Sequence, residues 1–490
     1  FTFLYADLHA HMIAMPLILF AAIFVFNELM LAKNDRRAGW MQFLALGLGA
    51  VSVGMSKAVN TWDWPTLMIL SVSGLGYAWW LASRKFSRES LLMLLLRVGG
   101  FIALTMLVVL PYDLWYATAF NELLPWEGGK TRLWSYLTIH GLFLLLVAAL
   151  LLWDTARWLR NVYVRELRGK ANWLAVGLVA AGVLGMIALY AYLGGDRMVI
   201  VALPMIAWIA VLFFRPGQSR AMQFVLVLVG LSLSITIGVE FFVLSGDNGR
   251  QNMVFKFYIQ VWLFLSVAAG AALAWLLSGF ERWRPMLRNS FFVVVGLLLF
   301  VSLLFPIMAT RGKNFFRFSH EVPATLNGMT YMEYVDTFAE FPGMTEAISL
   351  DTEHATIRWL QEEIEGSPVI IEAQPGRATY QWGGRMTMYT GLPSVLGWDY
   401  HQTQQRTLPP MPQFVRQRAA NINAFYTATN TNTAARILRH YGVEYVILTH
   451  YERSRYAESG GLAKFDAMVE AGMLEVAFAI DEVPMVYRVN

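Results

Sequence analysis

No cysteine occurs in the 490 residues, which excludes disulfides, thiolate metal ligands and nucleophilic thiols and leaves the redox compartment unread. Charge is scarce too. Asp, Glu, Lys and Arg make up 15% of the chain, where soluble domains average about 25%. The basic residues lie in thin clusters between apolar runs rather than in a patch interleaved with aromatics, so no nucleic-acid partner is expected. Residue 1 is Phe and no basic segment precedes the first apolar run, so no signal peptide is expected there. Internal repeats, low-complexity tracts and flexible linkers are missing as well.

What the chain does have is apolar residues, 57% of the total with 18 Trp. Up to residue 310 they fall in runs of about 18–25, the length that crosses a bilayer as a helix. Helices are expected near 9–32, 40–58, 65–83, 90–111, 132–154, 171–193, 198–214, 220–243, 253–278 and 287–309. The connections alternate in charge. One set carries Lys33, Arg36 and Arg37; Arg84, Lys85 and Arg88; five cations from Arg157 to Lys170; Arg215 and Arg220; and Arg282, Arg284 and Arg288. The other set has few cations and includes Asp63, Asp113, Glu122, Glu127, Asp196 and Asp247.

The positive-inside rule places the basic set in the cytoplasm. The N-terminal segment and everything after residue 310 are then extracytoplasmic, on a multi-pass protein of the plasma membrane. The longest loop among the spans, 113–131, is aromatic and acidic, as a segment lying on the membrane surface would be.

From 311 the texture is that of a soluble protein. EHATIRWLQEEIEG reads as an amphipathic helix ending at Gly366, SPVIIEA as a strand, NTAARILRHYG as a helix and VEYVILTH as a strand. GLAKFDAMVEAG then reads as a helix, and LEVAFAI and PMVYRV as two short strands. The expected fold class is therefore a polytopic α-helical membrane protein of about ten spans with a C-terminal extracytoplasmic α/β domain. The domains divide at 1–310 and 311–490.

Two outer-face clusters could carry chemistry. The first is ADLHAH. If extended, it puts Asp7, His9 and His11 on one side, an arrangement suited to a divalent metal such as Mg or Mn. If helical, it stacks Asp7 on His11 and turns His9 away, and Asp7 then reads as an N-terminal cap. The second is SGDNGRQNMVFKFYIQ, a turn followed by a helix carrying Asn252, Lys256 and Gln260 at i, i+4 and i+8.

Arg250 and Lys256 near a helix N-terminus oppose its macrodipole, which makes sense if an anion such as a lipid-linked phosphate binds there. The plainer reading of Lys256 is snorkelling to headgroups. Glu28, Arg97, His140 and Glu240 are intramembrane candidates because such groups are costly in lipid. Glu240 stands out for its closeness to Arg250, while a helix–helix contact suits His140. Beyond residue 310, Trp398, Asp399 and His401, with Tyr400 and Arg406, have the makeup of a sugar site, and Glu372 and Arg385 are placed to face a cleft.

YADLHAHMIAMPL, GDNGRQNMVFKFYIQVW, LNGMTYM, PVIIEAQPG with RMTMYTGLPSVLGWDYH, and VEYVILTHYERSRY followed by GLAKF occur in this order. Together they resemble the prokaryotic YYY membrane protein family of uncharacterised polytopic proteins, through most of residues 1–490. That layout is similar to the GT-C class of glycosyltransferases, which take sugars from polyprenyl phosphates. WLQEEIEG before a strand also resembles the start of the outer domain of oligosaccharyltransferase catalytic subunits. The WDY at Trp398–Tyr400 falls later than the similar motif there, and its role is not carried across.

The resemblance implies further helices, a tyrosine-rich motif and an acidic outer loop before DLHAH. A catalytic carboxylate could then lie upstream or on a partner chain. It also implies a GT-C-like glycosyltransferase that moves a sugar from a polyprenyl-phosphate donor to an extracytoplasmic acceptor. Asp7 or Glu240 would be catalytic, with Arg250, Asn252, Lys256, Gln260, Trp398, Asp399 and His401 binding substrate and His9 and His11 holding a metal with Asp7. The alternatives are a non-catalytic, partner-binding subunit of a membrane assembly and a lipid-linked glycan transporter. A transporter would need a polar path across the membrane, and the polar residues gather at the outer boundary instead.

Overall fold

The computed structural model describes residues 9–83, 86–117, 122–161, 197–245, 249–317, 319–335, 337–338, 348–374 and 381–490, with three isolated positions between 182 and 192. The chain divides into two compact units. One comprises Phe1–Leu114 with Phe120–Arg311, and the other Trp115–Ala119 with Gly312–Asn490.

In the first unit the apolar runs form α1 (Ala10–Leu31), α2 (Gly39–Val59), α3 (Trp64–Ser83), α4 (Arg88–Asp113), α5 (Leu133–Asn161), α6 (Val199–Phe214), α7 (Arg220–Phe241), α8 (Gly249–Gly279) and α9 (Pro285–Arg317). Among the described residues eight helices are long and apolar enough to cross a membrane, and α6 is a shorter apolar helix. The chain is thus a polytopic helical membrane protein, with lipid as its surrounding. The helix expected at 171–193 lies outside the described residues.

Lipid offers no hydrophobic drive between helices, so close approach depends on small residues and shape. A Cβ on Gly49 of α2 would come within 2.7 Å of the Phe24 ring of α1, and one on Gly74 of α3 within 2.5 Å of Val25. A Cβ on Gly54 would meet the backbone oxygen of Thr105 in α4 at 2.9 Å. A backbone atom cannot swing aside, so Gly54→Val should force α2 from α4 and cost about 1–3 kcal/mol of overpacking. The check is a lowered Tm in detergent, with Gly47→Val, whose Cβ meets nothing within 4 Å, unchanged.

Two large apolar cores result. One is built on Leu150, Leu226, Val261 and Leu265, the other on Ile18, Phe24, Leu67, Phe101 and Phe264. Helix α8 contributes to both, so whatever its N-terminal turns carry is held from two sides.

The 113–131 loop does more than lie on a surface. Its strand β1 (Leu123–Pro125) pairs antiparallel with β2 (Phe242–Leu244), Leu123 opposite Leu244. This ribbon ties the loop to the segment that enters α8.

The second unit contains the short strands β3 (Thr337–Phe338) and β4 (Ile348–Ser349), and a four-stranded sheet. The sheet's strands are β5 (Val369–Ile371), β6 (Val443–Ile447), β7 (Leu474–Ile480) and β8 (Val483–Val489). Its order is β5-β6-β8-β7, parallel between β5 and β6 and antiparallel elsewhere. Around it lie α10 (Leu350–Glu363), α11 (Arg385–Thr390), α12 (Asp399–Gln405), α13 (Met411–Thr427), α14 (Thr431–Tyr441), α15 (His450–Tyr456) and α16 (Lys464–Glu470). The helix α13 has no counterpart among the expected elements. Its Tyr426 is fully buried and donates from Oη towards Ile371 O at 3.1 Å and Ile447 O at 2.8 Å, spanning the ends of β5 and β6.

Candidate functional site

Polar side chains in the first unit concentrate at the two ends of its helices. At one end Glu28 pairs with Arg97 and with Arg37, and Asp154 pairs with Arg215 at 2.7 Å. There Arg220 also donates to the carbonyls of Leu29 and Met30 at the end of α1. These are matched charges between neighbouring helices.

The opposite end joins the start of α1, the α2–α3 turn, the end of α4, the start of α5, the end of α7 and the start of α8. Lys57 there pairs with Asp113 at 2.6 Å, and the His11 ring meets the Phe255 ring edge-on at 4.8 Å.

Arg250 does not serve this end as an open cation. Its guanidinium pairs with Glu240 and donates to Thr131 Oγ1 at 2.6 Å and to Val239 O at 3.1 Å. Glu240 is fully buried and also accepts the Thr131 N–H at 2.8 Å. Lys130 donates to the Glu240 carbonyl and to Trp126 O, and burial lowers its pKa.

The sequence reading put Arg250 beside Lys256 on one anion and gave Glu240 catalytic work. The structure pairs Arg250 and Glu240 with each other. Residues six apart on an α-helix project about 120° from each other when each step turns about 100°. Arg250 therefore faces α7 and the 122–131 loop, while Lys256 faces the α2–α3 turn. Glu240 and Arg250 read as a clamp that seals the β1–β2 ribbon onto the helices.

On the other face of α8, the Lys256 ammonium lies 4.3 Å from the centre of the Trp62 ring, a cation–π placement. Asn252 lies one turn before it, half-buried. Gln260, one turn further in, is fully buried and donates to Trp62 O at 3.2 Å. Phe257 closes the wall edge-on against Trp62 at 5.7 Å. The carboxyl group here is Asp63, which sequence reasoning did not select. It is 1% exposed, accepts from Asn60 Nδ2 at 2.9 Å and lies near the Gln260 amide, which pulls its pKa down. Burial raises its pKa to about 7 against the pull of those two amides. An aspartate framed by two tryptophans, between two spans, was the available signal.

His9 is the residue before the first turn of α1 and makes no side-chain cap bond. Its ring centre is 5.1 Å from that of His11. Asp7 lies outside the described residues, as do Gly246 to Asn248 of the expected turn. Among the described residues no group of three or more His, Asp or Glu comes together to hold a metal. His140 is fully buried between Tyr136 and Tyr258, at 4.9 and 5.3 Å between ring centres, a helix–helix contact.

In the second unit the expected sugar-site residues are engaged with their own surroundings. Trp398 Nε1 donates to Gln381 O at 3.0 Å and to Gly383 O at 2.8 Å. Asp399 accepts the Tyr400 N–H at 2.7 Å. His401 meets Gln405 at 2.7 Å, and burial, then Arg406, lowers its pKa.

Arg385 and Glu372, expected to face a cleft, are both fully buried. Arg385 donates to Glu353 at 2.6 Å, to Glu452 at 2.9 and 3.1 Å and to Thr449 Oγ1 at 2.6 Å. Glu372 accepts the Met386 and Thr387 N–H groups at the start of α11. The group sits just past the carboxyl ends of the parallel strands β5 and β6, where ligands often bind in open α/β sheets; here side chains fill the place.

Among known families, the model described as Uncharacterized membrane protein (DUF2298) matches residues 1–265, just over half of the chain. No curated protein matches.

Proposed function

We propose, for a chain that belongs to the DUF2298 family of uncharacterised membrane proteins, that it is a GT-C-like glycosyltransferase. It moves a sugar from a polyprenyl-phosphate donor to an acceptor on the extracytoplasmic face of the plasma membrane. The N-terminal segment and the second unit, an α/β domain, lie on that face. The observation that carries this reading is Lys256, whose ammonium sits over Trp62 on the central helix, with Asn252 before it and Gln260 below. This end of the bundle is where a lipid phosphate resides when its isoprenoid tail runs between apolar helix faces.

Lys256 supplies charge to the phosphate as the glycosidic bond breaks and negative charge grows on the leaving oxygen. Asn252 and Gln260 add amide groups, and His11, held against Phe255, lines the same end with His9. A carboxylate at this boundary takes the proton of the acceptor hydroxyl. Buried Glu28, Asp154 and Glu240 are each matched by an arginine at the ends of the bundle, an arrangement that speaks against a polar path for a transported glycan.

Lys256→Ala should reduce sugar transfer from a polyprenyl-phosphate donor by about 10²–10³-fold and weaken donor binding in nanodiscs. Transfer at the unaltered rate would remove the phosphate role from this helix. The second reading is a non-catalytic subunit of a membrane assembly. It draws support from the internal hydrogen bonds of Trp398, Asp399 and His401, and co-purification of a partner at fixed stoichiometry with no transfer activity would favour it.

A further inference from the structure

Asp63 lies in the short turn between α2 and α3, 1% exposed. A structural carboxylate this deep is normally matched by a cation or by several backbone N–H groups, because a buried charge without them is costly. Asp63 has neither kind of partner among the described residues. Its side chain meets two neutral amides from different elements, accepting from Asn60 Nδ2 at 2.9 Å and lying near that of Gln260 of α8.

The charged groups packed around it are directed elsewhere. Lys57 of α2 pairs with Asp113 of α4 at 2.6 Å, and Lys256 of α8 lies over Trp62. A second observation points the same way. Gln260 Oε1 is buried and has no donor among the described residues. A proton on Asp63 places a donor beside that amide, and its removal leaves a carboxylate that the amide N–H groups can still hold. The site therefore accommodates both protonation states.

We propose that Asp63 is the proton-exchanging residue of the boundary site, with Asn60 and Gln260 as its positioning residues, and that its substrate is a hydroxyl-bearing acceptor. The acceptor part rests on the sugar-transfer reading above. As the acceptor oxygen bonds to the anomeric carbon, its proton passes to the Asp63 carboxylate. The bond from that carbon to the lipid phosphate breaks, and its electron pair leaves on the phosphate oxygen beside Lys256. Asp63 then returns its proton to water. Burial sets the pKa at about 7, so both forms are populated at neutral pH, as an acid–base group requires.

The test uses the full chain in nanodiscs and does not depend on activity. Infrared difference spectra recorded across a pH titration should show a protonated-carboxyl C=O band that titrates around pH 7 and vanishes in Asp63→Asn. Gln260→Leu should move the midpoint upward, because the lost amide favoured the charged form. No such band, or a band that persists in Asp63→Asn, overturns the assignment whether or not sugar transfer occurs.

Where transfer is measured, Asp63→Asn should lower kcat by about 10²–10⁴-fold with little change in KM for the lipid donor. The wild-type rate should rise through about pH 7. Normal kcat in Asp63→Asn overturns the proposal. The infrared band without any transfer supports Asp63 as the proton-exchanging group and overturns the transfer reading instead.

Discussion

Arg385→Met is expected to unfold the second unit. The guanidinium is the sole cation within reach of three carboxylates, Glu353, Glu372 and Glu452, among the described residues, and all four side chains are 0% exposed. Breaking a buried ion pair from one side costs about 3–5 kcal/mol, because the remaining charge stays buried without a partner. Whole domains are stable by only about 5–15 kcal/mol. Lysine is no substitute, since its ammonium lacks the planar fork that meets Glu353, Glu452 and Thr449 together.

Limited trypsin digestion should therefore cut within 312–490 in Arg385→Met and Arg385→Lys but not in the parent chain. Arg385→Met combined with Glu353→Gln, Glu372→Gln and Glu452→Gln should regain most of the resistance, because no unmatched charge then stays inside. An intact, protease-resistant Arg385→Met would mean that the network contributes little.

The three carboxylates share one guanidinium unequally, and this sets the response to pH. Burial works to raise the pKa of Glu452, but Arg385 beside it and hydrogen bonds from Ala373 and Thr449 hold it below the usual range. Glu372 is 3.8 Å from the guanidinium, and burial raises its pKa. A group that holds its proton more tightly when folded stabilises the fold below its unfolded pKa. That stability is lost as pH rises from the ordinary value of 4.5 through the raised folded value. Glu372→Gln should therefore flatten the loss of stability on the alkaline side of 4.5 in urea titrations of the second unit.

How much of this the sequence discloses depends on the range of the interaction. Spans such as Arg220–Phe241 are long apolar runs whose crossing follows from composition, and the strands Val443–Ile447 and Leu474–Ile480 show in local pattern. The helix Met411–Thr427 was also readable. Its buried Val415, Ile422, Phe425 and Tyr426 fall on one helical face, although mixed polar residues mask the period.

Charge pairing is different. Arg385 meets Glu353 and Glu452 from 32 and 67 residues away, and nothing local distinguishes a buried arginine from one in a cleft. Asp63 was overlooked for the same reason. A loop aspartate becomes a poised acid only when Gln260, 197 positions on (260 − 63), closes over it.

Arg250→Ala gives the second large expected effect, and it separates the two readings of that residue. If Arg250 gripped a substrate phosphate, its loss would abolish turnover and leave the fold intact. The structure pairs it with Glu240, a carboxylate buried at the end of α7 that also fixes the Thr131 N–H at 2.8 Å. Arg250→Ala should then strand that carboxylate, cost about 3–5 kcal/mol and lower the Tm in detergent.

Glu240→Gln alone leaves the guanidinium with Thr131 and Val239 as hydrogen-bond partners, so its effect should be smaller. The double variant Glu240→Gln with Arg250→Ala should be less destabilised than Arg250→Ala alone, since no buried charge remains. A coupling energy well above the error of a double-mutant cycle is therefore expected. Additive effects, or an Arg250→Ala protein with an unchanged Tm and no turnover, would return Arg250 to the ligand site. A large coupling instead keeps Arg250 out of the ligand site, because a guanidinium already neutralised by its own chain has little charge to give a second anion.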